Sequence, residues 1–192
     1  ILKTNMVEVN DFISKNDIWS IMKADNVPNI CGCIMYTVAN PNIIKVLRDT
    51  DYWQCFDFIS NKWPIFALKP KPELLLEYMV GVSMTNNNYK LFLDFFALKE
   101  EDIPCFILFA QINENEIESY RVKLDDSSPD KVFNDLREII LNISKVESFI
   151  HNEYKKGSGI YIQAKASLQS AILYKKITSS LKAFSFIKGL FT

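Results

Sequence analysis

The sequence predicts an α/β fold in which one mixed β-sheet carries helices on both faces. Short apolar segments alternate with amphipathic ones over the first half of the chain, which is typical of parallel βα units. Two strand candidates joined by a polar turn then follow one another, as in an antiparallel hairpin. The predicted order is β-α-β-α-β-α-β-β-α, followed by one further helix.

The first half of the chain supplies strand candidates rich in β-branched or aromatic residues, with helix candidates between them. In chain order these elements cover residues 5–9, 12–22, 30–39, 42–60, 63–68 and 72–78. The helix at 42–60 has a favourable start, because Asn40 can serve as its N-cap and Pro41 suits the first helical position. Residues 79–96 fit either a further helix, which we favour, or a hairpin about the asparagines at 86–88.

The second half begins with a strand candidate at 105–110, a turn at 113–116 and a strand candidate at 119–124. Ser128 and Pro129 then give the strongest helix start in the chain, as N-cap and first helical residue. The helix that follows has an apolar stripe from Val132 to Ile150. A last amphipathic helix is predicted over about 161–186, and the apolar residues along one side of it are Leu173, Ile177, Leu181 and Phe184.

Composition points to a globular protein of ordinary kind. The 192 residues are 48% hydrophobic and 23% charged, which suits one domain with a proper core, or one domain plus an appendage. No apolar run reaches the length of about 18 residues that a spanning helix needs. The first residues lack the pattern of a signal peptide. A chain of this size and apolarity does not need its four cysteines for disulfides, so we predict a reducing compartment, the cytoplasm.

A proline at the mouth of a buried strand marks the second half of the chain. It lies in Glu100-Glu101-Asp102-Ile103-Pro104-Cys105, and the hairpin and the helix follow it. This motif and the element order resemble the thioredoxin-like fold over about residues 5–155, and also the redox-inactive domains of the protein disulfide isomerase family. The resemblance implies a cis Ile103–Pro104 bond that shapes a substrate-facing loop. The alternative is an ordinary trans proline entering a strand.

The thiols of the catalytic proteins in this fold are missing from their expected place. The resemblance puts a Cys-x-x-Cys motif at the start of the helix after the second strand, where the helix N-terminus stabilises a thiolate. This chain has Asn40-Pro41-Asn42 there. Cys31 and Cys33 form the one close cysteine pair, with both side chains on the same face of an apolar strand that would keep them protonated. A thiol oxidoreductase that uses Cys31 and Cys33 is the alternative functional hypothesis.

Other catalytic chemistries find no support in the sequence. His151 is the single histidine, so we expect neither a zinc site nor a histidine-based triad. The scattered glycines form no phosphate-binding loop. The carboxylates at 100–102 and 125–126 are explained by loop solvation and helix capping. We predict no catalytic residue, no metal and no cofactor.

The last part of the chain is basic. Seven lysines and no acidic residue follow Glu153, although the whole chain has a net charge of −1. We therefore divide the chain into a domain at 1–156 and a basic amphipathic helical extension at 157–192. We favour an extension that packs on the body, with its lysines toward solvent or acidic groups. The main alternative contact is a groove of a partner protein. An anionic membrane surface is another, and nucleic acid is a weaker one because the segment lacks arginine. The helix lysines concerned are Lys165, Lys175, Lys176, Lys182 and Lys188.

The leading functional hypothesis is a redox-inactive, non-catalytic module that binds another protein. The fold suggested by the resemblance receives peptides at the edge where the helix after the second strand begins and where the proline strand starts. In this sequence that edge consists of Asn40, Pro41, Asn42, Ile103 and Pro104. The sequence leaves the partner and the oligomeric state undetermined.

Overall fold

The computed structural model describes residues 6–8, 30–60, 63, 65–68, 92–113, 116–149 and 158–190. Their strands and helices lie on one α/β framework, so the predicted α/β class is confirmed. In chain order the elements are β1 (Met6–Glu8), β2 (Ile30–Met35), α1 (Pro41–Arg48), α2 (Thr50–Ser60), β3 (Ile65–Leu68), a 3₁₀ helix (Glu100–Asp102), β4 (Cys105–Asn113), β5 (Glu116–Lys123), α3 (Pro129–Phe149) and α4 (Ser158–Leu190).

The strands form a mixed five-stranded sheet in the order β1-β3-β2-β4-β5. Strands β1, β3 and β2 are parallel, whereas β4 runs antiparallel to both β2 and β5. Met35 at the end of β2 pairs with Leu68 of β3 and with Cys105 of β4. Cys105 in turn pairs with Lys123 at the end of β5. The loops after β2 and β5 and the loop before β4 therefore meet at one end of the sheet.

Side chains alternate between the two faces of the sheet and form two separate cores. The first core lies between the sheet and the helices α1 to α4, and includes Ile34 and Phe106. The second lies on the opposite face, where the cysteines of β2 and β4 pack against Phe92 and Phe96. Residues 92–95 are helical, which agrees with the helix favoured for that end of the 79–96 segment. Residues 79–91 of that segment, the helices predicted at 12–22 and 72–78, and His151 lie outside the described residues.

The single helix predicted over 42–60 is wrong, because the backbone is extended at Asp49, with φ −83° and ψ 118°. The N–H of Asp49 donates to the carbonyl of Val46 and closes α1. Its carboxylate accepts a hydrogen bond from the N–H of Asp51 at 3.0 Å, which helps to begin α2. A short acidic side chain can bond the nearby backbone in this way and divide a helix in two.

Several strand ends also differ from the prediction. Strand β2 stops at Met35 rather than at Ala39, because a turn begins at Thr37, whose carbonyl accepts from the N–H of Asn40 at 3.1 Å. Strand β3 begins at Ile65 rather than at Trp63. The hairpin strands extend to Asn113 and from Glu116, so the two strands pair over more residues than we expected.

The start of α3 agrees with the prediction, since the N–H of Lys131 donates to the hydroxyl of Ser128 at 3.2 Å. The last helix is longer than predicted, and the predicted apolar stripe can be compared with the structure only at Leu173, because the side chains of Ile177, Leu181 and Phe184 lie outside the described residues. Leu173 is 59% exposed. The residues of α4 that enter the first core are Ile160, Tyr161, Ala164 and Leu168. The part of the predicted extension nearest to residue 157 thus shares the core of the body.

Candidate functional site

The residues predicted to bind a partner lie at the end of the sheet where three loops meet. Residues 36–42 follow β2, residues 99–104 precede β4 and residues 124–128 follow β5; together we call them the three-loop surface. The sheet pairing of Met35 with Cys105 places the first two loops side by side. The topology thus brings together the two segments that the sequence predicts to bind a partner, residues 40–42 and 103–104.

Asn40 holds the position of the N-cap of α1, but its side chain does not cap the helix, contrary to our expectation. Its Oδ1 instead accepts hydrogen bonds from the N–H of Thr37 at 2.8 Å and from the Thr37 hydroxyl at 3.1 Å. The amide oxygen is therefore used within its own turn. Pro41 occupies the beginning of α1 as predicted.

The start of α1 is capped from a distant loop. The carboxylate of Asp126 accepts a hydrogen bond from the N–H of Ile43 at 2.7 Å, and the Asp126 carbonyl accepts one from Nδ2 of Asn42 at 2.6 Å. A negative charge at this position matches the positive end of the helix dipole. The start of α1, where the resemblance would place a thiolate, is thus occupied by a carboxylate.

Replacement of Asp126 by alanine should lower the free energy of unfolding by about 0.5–2 kcal/mol, the usual cost of losing an N-cap. Urea titration followed by circular dichroism measures this change. Asp125→Ala is the matched control, because the Asp125 carboxylate is exposed and bonds the N–H of Ser127 within its own loop. An equal loss in both variants would contradict the capping role of Asp126.

The loop before β4 is fastened to β5. The ammonium group of Lys123 donates to the carbonyls of Glu101 at 2.7 Å and of Ile103 at 2.6 Å. The guanidinium group of Arg121 pairs with the carboxylate of Asp102 at 2.8 Å. These contacts hold the loop in one arrangement against the neighbouring strand.

Ile103 and Pro104 are joined by a cis peptide bond, as the resemblance implies. The N–H of Ile103 donates to the backbone carbonyl of Glu100 at 3.2 Å, and the carbonyl of Pro104 accepts from the N–H of Leu124 at 3.0 Å. With the Ile103 carbonyl bonded to Lys123, these backbone groups already have partners inside the chain. A protein that binds here would therefore contact side chains rather than extend the backbone ladder.

The predicted binding residues differ in accessibility. Pro41 is exposed, as is the neighbouring Ala39, whereas Asn40, Asn42 and Pro104 are half-buried. Ile103 is 9% exposed and belongs to the second core. Of the predicted binding residues, Pro41 is thus the accessible one, and with Ala39 it provides exposed apolar contact at the start of α1.

The two cysteines of β2 lie on one face of the sheet with Cys105 of β4, deep in the second core. Cys31 is 0% and Cys33 is 1% exposed. Burial raises the pKa of both thiols well above the ordinary value, and the neighbouring Cys105 and Cys31 raise the pKa of Cys33 further. Burial also raises the pKa of Cys105 to about 11, against a smaller opposing effect of Lys123. All three are thiols, not thiolates, at neutral pH.

The strand geometry also separates Cys31 from Cys33. Alternate residues of an extended strand are about 6.6 Å apart, whereas the Cβ atoms of a disulfide are about 3.5–4.5 Å apart. Strand β2 is held on both sides, by β3 and by β4, so it does not bend to close this gap without losing ladder bonds. Both cysteines are free in the structure.

The glycine between the two cysteines has a packing role of its own. A Cβ at Gly32 would lie 2.7 Å from Cζ of Phe106 and 2.8 Å from Cζ3 of Trp63. The two rings meet edge to face, with centroids 6.3 Å apart, and the Trp63 ring nitrogen donates to the hydroxyl of Ser144 at 3.0 Å. The Cys-Gly-Cys pattern is therefore explained by the two cores on either side of β2.

The described lysines of α4 contact this chain. Lys175 donates to Asp135 at 2.8 Å and to Glu138 at 3.2 Å on α3, and these bonds raise its pKa. Lys165 lies 5.6 Å from the centre of the Tyr161 ring. The contacts of Lys175 agree with an extension that turns a lysine toward acidic groups of the body. The side chains of Lys176, Lys182 and Lys188 lie outside the described residues, so their contact with a membrane or nucleic acid stays a prediction.

The described ranges lie between residues 6 and 190. No helix in them combines the length and the apolar content needed to cross a membrane. No cluster of histidine, cysteine or acidic side chains in them could hold a metal ion. Comparisons of the chain with protein-family models, with curated proteins and with solved structures found no match.

Proposed function

We propose that this chain is a non-catalytic protein-interaction module on a thioredoxin-like scaffold. The strand order β1-β3-β2-β4-β5, in which β4 alone runs antiparallel to the other four strands, supports this scaffold. Pro104 at the start of β4 and α1 directly after β2 occupy the positions that the resemblance implies.

The observation that carries the non-catalytic part is the capping of α1 by Asp126. A catalytic member of this fold would hold a thiolate at that helix start, whereas this chain has Asn40-Pro41-Asn42 and a carboxylate bonded to the Ile43 N–H. A second anion beside this carboxylate would be repelled, since the helix N-terminus can stabilise one negative group much better than two. The start of α1 thus has a structural role and is poorly suited to thiol chemistry.

The binding part rests on the rigidity and exposure of the three-loop surface. A hydrogen bond from Asn42 to Asp126 ties the loop after β2 to the loop after β5, and a hydrogen bond from Lys123 to Ile103 ties the loop before β4 to β5. A surface that is already ordered loses little conformational entropy on binding, so more of its contact energy contributes to affinity. Ala39 and Pro41 offer exposed apolar contact, and neither side chain is needed for a described hydrogen bond.

The test is capture of partner proteins from the native host by the purified chain, quantified by mass spectrometry. The double variant Ala39→Glu/Pro41→Glu should lower capture of the specific partner at least about tenfold, which corresponds to about 1.4 kcal/mol. Gln54→Glu is the matched control, because it adds a charge at an exposed position of α2 away from the three loops. Circular dichroism verifies folding of both variants. Equal capture by the wild type and the double variant would contradict this binding surface.

A further inference from the structure

A second surface, apart from the three loops, lies along β5. A groove of about 790 Å³ runs between this strand and the helices α3 and α4. Its apolar lining comes from both sides of the groove, namely Tyr120, Val122, Ile139, Leu168, Ala171 and Ile172. The volume lies within the range of about 300–1,000 Å³ that is common for ligand sites.

One wall of the groove is the edge of the sheet that the described strands form. Strand β5 is the last strand in the order, and no other strand in the described ranges pairs with its outer side. Residues 120–123, from both faces of the strand, line the groove, so it follows the edge itself. Unpaired backbone N–H and C=O groups on such an edge can accept an additional strand, which is a common mode of peptide recognition.

The two faces of β5 differ in chemistry. Tyr120 and Val122 pack against the first core, on the side of the helices. Arg121 and Lys123 alternate with them and are exposed, and they bond the loop before β4 on the other side. Because side chains alternate along a strand, an added strand would place every second residue near the helices and the others beside Arg121 and Lys123.

The charges of the groove indicate what those residues should be. On the helix side, the carboxylate of Asp135 is already paired with Lys131 at 2.7 Å and with Lys175 at 2.8 Å. On the other side, Arg121 is paired with the carboxylate of Asp102 at 2.8 Å, whereas the described hydrogen bonds of Lys123 go to neutral carbonyls and do not compensate its positive charge. Apolar residues therefore fit the helix side, and acidic residues fit the side of Lys123.

We infer that the outer edge of β5 binds an extended segment of a partner protein, with alternating apolar and acidic residues, as a sixth strand. This inference does not depend on the three-loop surface.

The probe is a fluorescein-labelled octapeptide of alternating valine and glutamate, and the measurement is fluorescence anisotropy. Saturable binding that weakens with added salt is expected. The matched valine–lysine peptide should bind at least about tenfold more weakly. A valine–glutamate peptide N-methylated at alternate residues on the ladder-bonding side should lose binding, because it cannot donate to the strand.

Variants of the protein locate the site. Ala171→Trp should fill the groove and lower affinity at least about tenfold, whereas Gln169→Trp on the exposed side of α4 should leave affinity unchanged. Lys123→Glu should lower affinity without filling the groove. The double variant Ala39→Glu/Pro41→Glu should bind the peptide as the wild type does, which keeps this test separate from that of the three-loop surface.

Several results would overturn the inference. These are the absence of saturable binding, equal binding of the lysine peptide, and equal binding of the N-methylated peptide. An unchanged affinity in both Ala171→Trp and Lys123→Glu would place the peptide elsewhere. Displacement of the peptide by laurate together with insensitivity to N-methylation would assign the groove to an anionic amphiphile instead.

Discussion

Replacement of Gly32 by alanine should lower the free energy of unfolding by about 1–3 kcal/mol, the usual cost of overpacking a core. The added methyl group would lie within 3 Å of carbon atoms in both Phe106 and Trp63. Neither ring has free space, since Phe106 is 0% and Trp63 is 1% exposed. The hydrogen bond from Trp63 to Ser144 further fixes the indole ring. The sheet and the rings must therefore shift to admit one carbon atom.

Urea unfolding of Gly32→Ala, of Phe106→Leu and of the double variant measures this effect. The smaller leucine makes room at the Phe106 position, so the double variant should lose less stability than the sum of the two single variants. Additive losses would mean that the alanine methyl does not meet the Phe106 ring. An unchanged stability in Gly32→Ala would contradict the close packing on this face of β2.

The free energy of unfolding should fall as the pH rises from about 9 to about 11, because the folded protein keeps Cys105 protonated. Burial raises the pKa of this thiol from 9.0 to about 11. A raised folded-state pKa contributes stability that is fully present below the unfolded-state pKa and is lost as the pH passes the folded-state value. A difference of about two pKa units corresponds to about 2–3 kcal/mol. Burial raises the pKa of Cys31 and Cys33 as well, so they act in the same direction.

Denaturant titrations at a series of pH values compare the wild type with Cys105→Ala. The variant should lose less stability than the wild type over this pH range, because one of the buried thiols no longer ionises on unfolding. Ile107→Val is the matched control: it truncates a side chain in the same core and adds or removes no titrating group. It should be less stable but keep the pH dependence of the wild type. The same pH dependence in Cys105→Ala would contradict the burial of this thiol.

Much of the framework follows from local patterns in the sequence. Alternation of apolar and amphipathic segments predicts the mixed sheet, and Ser128-Pro129 predicts the start of α3. The errors occur where short polar side chains bond the nearby backbone. Asn40 closes a turn with Thr37 and shortens β2. Asp49 divides the helix predicted over 42–60 into α1 and α2. Such residues favour several local conformations, so the sequence pattern alone does not select among them.

The candidate site is only partly visible in the sequence. The βα order places Asn40–Asn42 near Ile103 and Pro104, because the sheet brings the end of β2 beside the start of β4. The cap supplied by Asp126 is different, since it reaches Ile43 from 83 residues further along the chain. The need for a glycine at position 32 likewise arises from two rings distant in sequence. Tertiary contacts of this kind have no local signature.

The central claim is that Cys31 and Cys33 serve packing rather than thiol chemistry, and the rate of their alkylation in the folded protein tests it most directly. Reaction with iodoacetamide at about pH 8, read at each cysteine by mass spectrometry, should be at least about a hundredfold slower than in the urea-unfolded chain. The predicted result is that both cysteines react only when the protein unfolds. Alkylation of the folded protein at the unfolded rate, or a Cys31–Cys33 disulfide formed while a disulfide substrate is reduced, would contradict the claim.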